Sequence, residues 1–448
     1  MNSRPVRQLW LPLIVEGELG TCDLSNENPT EDQGLMERIV APENLRAAYR
    51  RVMQNKGAPG VDGMTVGELA GHLRTQWPAI REQLLAGTYR PQPVRPHELP
   101  KPGGGTRMLG IPTVLERFIE QATLQVLQPE WDPTFSEGSF GFRPGRSAHQ
   151  AAARAQQHYR EGHHWVVDLD LEKFFDRVNH DKLMSLVAER VPDWRVRRLI
   201  REWLKAGMLR GDVYIPREEG TPQGGPISPL LANLLLDRLD KELERRGHRF
   251  VRYADDCNIY VRSRRAGRRV MVSVSRFLGT ALKLKVNEAK SAVAEPRDRS
   301  FLGFSINRNG NLVVSEKAVR RLKARVRELT GRTRARAVRK IIGELAVYLR
   351  GWKGYFRIAS GRSRMKELGG WIMRRLRCYQ WKQWGRRGYR ELRKRGVSRA
   401  LAWNTCKSAH GPWRLSHSPA LAIALPTGYF VELGLPLLHE TERNRRGT

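Results

Sequence analysis

Two strand-like segments that end in carboxylates constrain the fold of this 448-residue chain most strongly. Residues 164–170 (His-Trp-Val-Val-Asp-Leu-Asp) alternate, so the two acids of this predicted strand share one face. Residues 250–261 form two β-rich halves with adjacent acids at the tip between them. The acids concerned are Asp168, Asp170, Asp255 and Asp256. An acid at the end of an apolar strand is costly unless it is paired or binds a cation.

If the two strand ends meet, their carboxylates repel each other unless a divalent cation neutralises them. Mg²⁺ takes oxygen ligands of this kind. Two such ions about 4 Å apart can activate a 3′-hydroxyl and stabilise a leaving pyrophosphate. The alternative is an ordinary hairpin turn, because Asp-Asp also suits turns. The motif at residues 253–256 (Tyr-Ala-Asp-Asp) is short, so its significance depends on the surrounding sequence.

The charge of the chain indicates a polyanionic partner. Lys and Arg total 80 against 46 acids, a net charge of +34 with a pI near 10.9. Residues 317–414 contain 30 Lys or Arg against four acids, a net charge of +26, together with six of the twelve tryptophans. Three apolar stripes at helical spacing predict a helical bundle with a basic face and with most tryptophans in its core. Nucleic acid is the favoured partner and an anionic membrane surface is the alternative.

Other classes of protein fit poorly. No apolar run approaches the roughly 20 residues that a membrane span needs. The four cysteines are far apart and form no Cys-x-x-Cys pair, which argues against a disulfide framework or a cysteine zinc site and favours a reducing cytosol. The apolar run at residues 9–15 resembles a short signal sequence, but Pro12 interrupts it and Glu16 follows. We therefore expect a cytoplasmic protein.

Helix and strand signals mix without regular βαβ alternation, which predicts the α+β class. Residues 1–32 are predicted to be a loose tail. Helices are predicted between residues 34 and 77, interrupted by a Gly- and Pro-rich loop at 55–63, and again at 113–128 and 181–210. Residues 97–110 predict a hairpin. Ser228 is predicted to cap a helix that runs to about residue 244.

The motifs resemble the conserved blocks of reverse transcriptases. Residues 253–256 match the signature of that family, and residues 170–176 (Asp-Leu-Glu-Lys-Phe-Phe-Asp) resemble the block that carries the other palm aspartate. Further blocks occur in the expected order at residues 99–112, 139–147, 220–225 and 301–304. The resemblance narrows to group II intron reverse transcriptases, because residues 55–63, 351–356 and 371–377 are similar to their N-terminal extension and their thumb, or maturase, domain.

This resemblance implies a right-hand polymerase with fingers, an antiparallel palm sheet with helices, and an α-helical thumb/maturase domain. The implied segments are a tail (1–32), an N-terminal extension of the fingers (33–96), fingers and palm (97–311), a thumb/maturase domain (312–414) and a C-terminal extension (415–448). Many relatives carry a C-terminal endonuclease with cysteine pairs, and no such pairs occur here. We expect that domain to be absent and the primer to come from elsewhere, such as a nascent strand at a replication fork.

The resemblance also implies roles for individual residues. The metal site would consist of Asp170, Asp255 and Asp256 with the Leu171 carbonyl, holding two Mg²⁺ ions. Asp168 would help to position these ligands without binding the metal ions itself. Nucleotide-binding residues would be Lys101, Arg107, Phe175 and Gln223. Phe175 would be the steric gate against a 2′-hydroxyl, and its alternative role is that of a core phenylalanine. RNA-binding residues would be Lys56, Arg374, Arg375 and Arg377, although Arg375 lies nearest the apolar stripe and could pack its stem instead.

The implied function is RNA-directed DNA polymerisation combined with binding of intron RNA as a maturase, which promotes splicing and retromobility. The expected partners are group II intron RNA, an RNA template with a DNA primer, dNTPs and target DNA, with no membrane. Two alternatives remain open: a domesticated bacterial reverse transcriptase in defence or repair, and a splicing-only RNA-binding maturase with an inactive palm. The intact aspartates disfavour the second alternative.

Overall fold

The structure is a computed structural model that describes residues 34–100, 106–210, 213–222, 224–334 and 336–439. The chain forms two compact units, Met1–Ala294 and Glu295–Thr448. Helices combine with small antiparallel sheets, which confirms the predicted α+β class. None of the helices within the described ranges has the length and the apolar character that crossing a membrane demands.

The first unit contains nine described α-helices and eight strands. The helices are α1 (Leu35–Ile39), α2 (Pro42–Asn55), α3 (Leu69–Leu85), α4 (Val114–Trp131), α5 (Ala148–Arg160), α6 (His180–Arg190), α7 (Trp194–Lys205), α8 (Ser228–Arg245) and α9 (Arg264–Ala281). The strands are β1 (Arg95–Pro100), β2 (Thr106–Ile111), β3 (Trp165–Leu169), β4 (Met208–Arg210), β5 (Val213–Ile215), β6 (Arg249–Tyr253), β7 (Asp256–Val261) and β8 (Ala292–Ala294).

A four-stranded antiparallel sheet in the order β6-β7-β3-β8 forms the centre of this unit. Its strands are apolar enough to be covered on both faces. Gly267 of α9 packs against Val167 and Val261 on one face, and His158 of α5 lies 5.7 Å from the Tyr260 ring, centroid to centroid, on the other. The predicted strands at 164–170 and 250–261 are therefore confirmed, and they are neighbours in one sheet.

The predicted hairpin and Gly-rich loop are also confirmed. Strands β1 and β2 pair antiparallel, with Leu99 opposite Arg107. Helix α2 ends at Asn55, and Lys56 follows in the left-handed region with φ +46°. The loop then packs on the start of α4, where Arg117 donates to the Ala58 carbonyl at 2.7 Å.

Two local predictions are wrong. Ser228 does not cap α8, because its hydroxyl donates instead to the Pro222 carbonyl at 2.8 Å and Ile227 occupies the N-cap position. The helical prediction for residues 181–210 extends too far, since α7 ends at Lys205 and residues 208–210 form β4, paired with β5. Pairing with a partner strand overrode the apolar periodicity there.

The second unit is a helical bundle preceded by a short hairpin. Its strands are β9 (Phe304–Ile306) and β10 (Leu312–Val314), and its helices are α10 (Glu316–Leu329), α11 (Val338–Tyr355), α12 (Arg362–Trp384), α13 (Gly388–Lys394), α14 (Arg399–Lys407), α15 (Pro412–Leu415), α16 (Pro419–Ala424) and α17 (Thr427–Glu432). The hairpin packs at the end of α11, where Phe304 lies 5.1 Å between ring centroids from Phe356, the residue that follows the helix. The finer predicted segments remain predictions.

The three predicted apolar stripes supply the core of this bundle, with Leu322, Leu345 and Leu376 all fully buried. The expectation that most tryptophans lie in the core is wrong. Only two of the six tryptophans in residues 317–414 are buried, whereas Trp403 is 55% exposed and Trp413 36% exposed. The rings near the surface pack against cations instead, because the face of an aromatic ring attracts positive charge.

Candidate active site

The acids of the two strand-like segments lie at one end of the central sheet. Strands β6 and β7 are joined by the two-residue turn of Ala254 and Asp255, with Tyr253 opposite Asp256. Strand β3 runs antiparallel to β7 with Leu169 opposite Cys257. Continuing that register by one residue brings Asp170 beside Asp256. The two strand ends therefore meet, which is the condition that the interpretation of these acids as a metal site required.

Asp170 is held by a loop that precedes β8. Its carboxylate Oδ2 lies 3.2 Å from Lys290 Nζ, and its backbone N–H donates to Ser291 Oγ at 3.0 Å. Its carbonyl accepts from the Asn287 N–H at 2.8 Å. Sequence reasoning missed Lys290 and Ser291, because they lie far from Asp170 along the chain and precede a three-residue strand that is too short to give a pattern.

The carboxylate oxygens at this end of the sheet are of the chemical type that binds a hard divalent cation. They do not converge on a single metal position in this structure. Within the described part of the chain, no three His, Cys, Asp or Glu side chains are grouped closely enough to hold a metal ion. Asp255 is half-buried and Asp256 is exposed. The Asp170 carbonyl accepts from the Asn287 N–H, and the Leu171 carbonyl is the next backbone oxygen along the chain. Carboxylate and backbone carbonyl oxygens are donors of the type that suits Mg²⁺.

Asp168 is bound inside the sheet rather than presented at its end. It lies opposite Asn258 in the register of β3 and β7. In the orientation that satisfies its donors and acceptors, the buried Asn258 amide donates to Asp168 Oδ1 at 2.9 Å. This contact fits the supporting role implied by the resemblance.

A buried polar cluster supports the turn between β6 and β7, and the sequence did not reveal it. Arg252 is fully buried and pairs with Asp240 of α8, with 2.6 Å between Nη2 and Oδ2. It also donates to the Ala254 carbonyl at 2.9 Å, to Asn233 Oδ1 at 3.0 Å and to Ser139 Oγ at 2.8 Å. Burial alone would lower the pKa of Arg252, but the charge and hydrogen bonds of Asp240 raise it. An arginine in a strand is ordinarily solvent-facing, so only the tertiary structure reveals this role.

The segment before Phe142 runs alongside the same turn. The Phe140 N–H donates to the Arg252 carbonyl at 2.9 Å, and the Arg252 N–H donates to the Gly138 carbonyl at 2.8 Å. A Cβ at position 141 would overlap the backbone nitrogen of Ala254, so glycine is required at that close approach. The turn is therefore held by the neighbouring backbone of residues 138–141 and by the side chain of Arg252.

The predicted nucleotide-binding residues are only partly described. Lys101 and Gln223 lie outside the described residues, and so does the side chain of Arg107, whose backbone belongs to β2. Phe174 and Phe175 occupy a short 3₁₀ helix, Phe174–Asp176. Phe174 is 2% exposed and belongs to the core, whereas Phe175 is half-buried with its ring 5.1 Å from that of Phe174.

We expect Phe175→Ala to admit ribonucleotides, because a gate excludes the 2′-hydroxyl by bulk. The measurement is the preference for dNTP over rNTP in single-nucleotide extension. Phe174→Leu is the matched control, since it keeps the adjacent core apolar and should leave that preference unchanged. An unaltered preference in Phe175→Ala would assign Phe175 to the core alone.

A buried carboxyl lies beneath the Gly-rich loop of residues 220–225. Glu120 of α4 is buried and accepts from the Ile227 N–H at 3.3 Å, and a Cβ at Gly225 would overlap its carboxyl group. Burial, with the charge of the neighbouring Glu116, raises the pKa of Glu120 to about 8. Glu120 is therefore protonated at neutral pH and supports the loop as a neutral group.

The raised pKa of Glu120 predicts that the protein becomes less stable as pH rises from about 5 to 8. Over that range the folded chain keeps a proton that the unfolded chain has released, so the free energy of unfolding falls by the order of 4 kcal/mol in total. Thermal melting between pH 5 and 8 measures the effect. In Glu120→Gln the melting temperature should depend less steeply on pH; an unchanged slope would contradict the assignment.

The predicted RNA-binding arginines of α12 all make contacts within their own unit. Arg374 lies over the Trp413 ring at 4.1 Å from its centroid. Arg375 donates to Thr330 Oγ1 at 3.0 Å, and Arg377 donates to the Leu425 carbonyl at 3.0 Å. These contacts leave other N–H groups of each guanidinium available, so RNA binding stays a prediction. Lys56 is exposed at the start of its loop.

Comparison with known proteins identifies two domains in the chain. The family described as reverse transcriptase (RNA-dependent DNA polymerase) matches residues 99–306. The group II intron, maturase-specific domain matches residues 319–397. The first match contains the whole sheet end with its acids, and the second contains helices α11 and α12.

The chain is also similar to several curated proteins over part of its length. Protein YkfC of Escherichia coli (strain K12) is 38% identical over 220 residues, which cover 48% of this chain and 58% of that protein. The group II intron-encoded protein LtrA of Lactococcus lactis subsp. cremoris is 29% identical over 355 residues, covering 64% and 59%. The putative COX1/OXI3 intron 2 protein of Saccharomyces cerevisiae is 26% identical over 352 residues, covering 64% and 41%.

The matched regions thus span under two thirds of the length of these curated relatives. The order of the two domains nevertheless agrees with the order of the sequence motifs. The chain thus carries a reverse transcriptase domain followed by the maturase-specific domain of group II introns, and it is similar to group II intron-encoded proteins such as LtrA.

Proposed function

We propose that the protein is an RNA-directed DNA polymerase of a group II intron that also binds its intron RNA as a maturase and so promotes splicing and retromobility. The observation that carries this proposal is the meeting of Asp170 with the turn of Ala254 and Asp255 at one end of an antiparallel sheet. An ordinary hairpin would not need a fully buried arginine and a backbone segment to hold its turn.

In the proposed reaction a primer 3′-hydroxyl attacks the α-phosphate of a dNTP and releases pyrophosphate. Asp170, Asp255 and Asp256, with the Leu171 carbonyl, would hold two Mg²⁺ ions, which supply charge for the attacking and leaving oxygens when bound. Lys290 Nζ, 3.2 Å from Asp170 Oδ2, holds that carboxylate at the end of the sheet. Arg252 keeps the turn in one position, so catalysis is mainly positioning and charge stabilisation.

The substrate would be oriented by residues around this sheet end. Lys101 and Arg107 on the β1–β2 hairpin would bind the triphosphate, because cations there complement its charge. Gln223 would contact the nucleotide from the Gly-rich loop that Glu120 supports. Phe175 would pack against the sugar and exclude a 2′-hydroxyl.

The partners proposed for the whole protein are group II intron RNA, an RNA template with a DNA primer, dNTPs and target DNA. The maturase-specific match and the net charge of +26 over residues 317–414 support RNA binding by the second unit. Work on intron RNA and DNA would take place in the bacterial cytoplasm, at the nucleoid. The Arg374, Arg375 and Arg377 side chains and Lys56 are the proposed RNA contacts.

RNA binding should weaken steeply with salt, because each neutralised phosphate releases a counterion, with a slope of about −0.7 to −0.9 per contact. Changing Arg374, Arg375 and Arg377 together to Ala should flatten the slope by up to about 2–3 units if all three touch phosphate. The measurement is filter binding of intron RNA between 50 and 200 mM salt, conditions between which six to ten contacts lose about a thousandfold or more in affinity.

A matched control replaces Arg386, Arg387 and Arg390, which are exposed and have no ion-pair partner among the described residues. This control removes the same charge without disturbing contacts such as that of Arg375 with Thr330. Circular dichroism reports whether each triple variant stays folded. An unchanged slope in a folded α12 variant would place the RNA surface elsewhere, first at the N-terminal extension around Arg46, Arg50, Arg51 and Lys56.

Primer extension on poly(rA)/oligo(dT) tests the proposed polymerase directly. Extension by the wild-type chain supports it, and no extension by folded protein would favour a splicing-only maturase. RNA that co-purifies with the protein separates the remaining alternative: a bound catalytic intron supports the intron-borne protein, whereas its absence favours a domesticated enzyme in defence or repair.

A further inference from the structure

Phe142 combines two features that folding alone does not favour. Its side chain is 49% exposed, and its backbone is in the left-handed region with φ +59°. For a residue with a Cβ, that region is strained, and glycine or asparagine would avoid the strain. An exposed, strained phenylalanine therefore indicates a requirement other than stability of the fold.

The residues on both sides hold Phe142 in this conformation. The Gly141 carbonyl accepts from the buried Asn233 amide at 2.9 Å, and the backbone of Gly141 lies against that of Ala254. On the other side, Arg143 is 7% exposed and donates to the Ser136 carbonyl at 2.6 Å and the Ser139 carbonyl at 3.1 Å. The exposed Phe142 ring therefore lies between two residues, Gly141 and Arg143, whose positions are fixed by contacts with the rest of the unit.

The strain is concentrated around the sheet end that carries the acids. Six non-glycine residues in the described ranges have positive φ. Three of them are Phe142, Ala254 in the turn of the acids, and Lys173 in the stretch between Asp170 and Phe175. Because strained backbone persists where the surrounding structure enforces it for function, this grouping connects Phe142 with the reaction centre.

We propose that Phe142 is a contact for the primer–template at the turn of residues 253–256, with its exposed ring packing against a base or sugar of the bound strand. The inference rests on the proposed polymerase function and deepens it. A rigid aromatic ring beside the turn suits this role, because base–aromatic contacts are strong and tolerate any sequence. The strained backbone is what aims the ring outward beside Ala254.

The most discriminating test is Phe142→Gly, because it should weaken primer–template binding without lowering the stability of the fold. Glycine relieves the backbone strain, so the melting temperature should hold or rise by about 1–2 °C. The Kd for a primer–template, measured by fluorescence anisotropy, should rise roughly tenfold, which is typical of a lost stacking contact. Phe142→Trp keeps an aromatic ring and should bind within about threefold of wild type.

Lys283→Gly is the matched control. Lys283 is exposed with φ +56°, and the same change should relieve strain there without a loss of primer–template affinity beyond that of one charge. An unchanged Kd in Phe142→Gly, or a fall of its melting temperature by more than about 5 °C, would overturn the inference. Failure of the wild-type protein to bind or extend the primer–template would instead refute the proposed function, on which the inference depends.

Discussion

Asp255→Asn should lower cDNA synthesis by several orders of magnitude while leaving the protein folded. The substitution keeps the shape of the side chain in its turn but removes the negative charge that would bind Mg²⁺. Catalysis by positioned cations loses most of its advantage when a ligand charge is removed. The measurement is the rate of primer extension on poly(rA)/oligo(dT) at saturating dNTP.

Splicing of intron RNA should survive in the same variant, because the proposed maturase role depends on RNA binding by the second unit rather than on the acids. Asp181→Asn is the control: it removes one carboxylate whose side chain is 88% exposed, on α6, and should leave extension unchanged. A rate of primer extension by Asp255→Asn within tenfold of the wild-type rate would contradict the assignment of Asp255 as a metal ligand.

Arg252→Met should destabilise the first unit by about 3–5 kcal/mol, because it leaves the Asp240 carboxylate buried without its partner. Arg252 and Asp240 are both 0% exposed, so water cannot replace the lost contacts. The substitution also releases the Ala254 carbonyl, which accepts from Arg252 at 2.9 Å. Urea denaturation followed by circular dichroism measures the loss of stability.

The double variant Arg252→Met with Asp240→Leu separates stability from positioning. Replacing both buried charges by apolar groups removes the unpaired carboxylate, so much of the lost stability should return. Extension should nevertheless stay at least about tenfold below wild type, since no side chain then holds the turn. Full recovery of extension together with stability would show that Arg252 matters only as half of an ion pair.

The strand segments and their acids could be predicted because the relevant physics is local. Alternation of apolar residues in residues 164–170 predicts a strand, and the position of the acids at its end predicts where the charge lies. The apolar stripes of α10, α11 and α12 were predictable for the same reason, since helical spacing is a property of neighbouring residues. The family resemblance then assigned roles to Asp170, Asp255 and Asp256, and those roles remain proposals.

Side chains that act through distant partners were not predictable. Lys290 contacts Asp170 only because a short strand, β8, brings its loop to the end of β3. Trp413 was expected in the core, yet it is partly exposed and lies against Arg374 of α12. An apolar ring can be covered by a cation as well as by a core, and the periodicity of one helix does not distinguish the two.

The sequence by itself determined the α+β class, the basic helical unit and the two acidic strand ends, because period, charge and apolar content are carried by residues close together in the chain. Only the tertiary structure decided that Arg252 is a buried support, that Glu120 is a neutral group beneath the Gly-rich loop, and that Phe142 is displayed beside the turn. Burial and backbone strain depend on which distant segments pack together, and no local pattern contains that information.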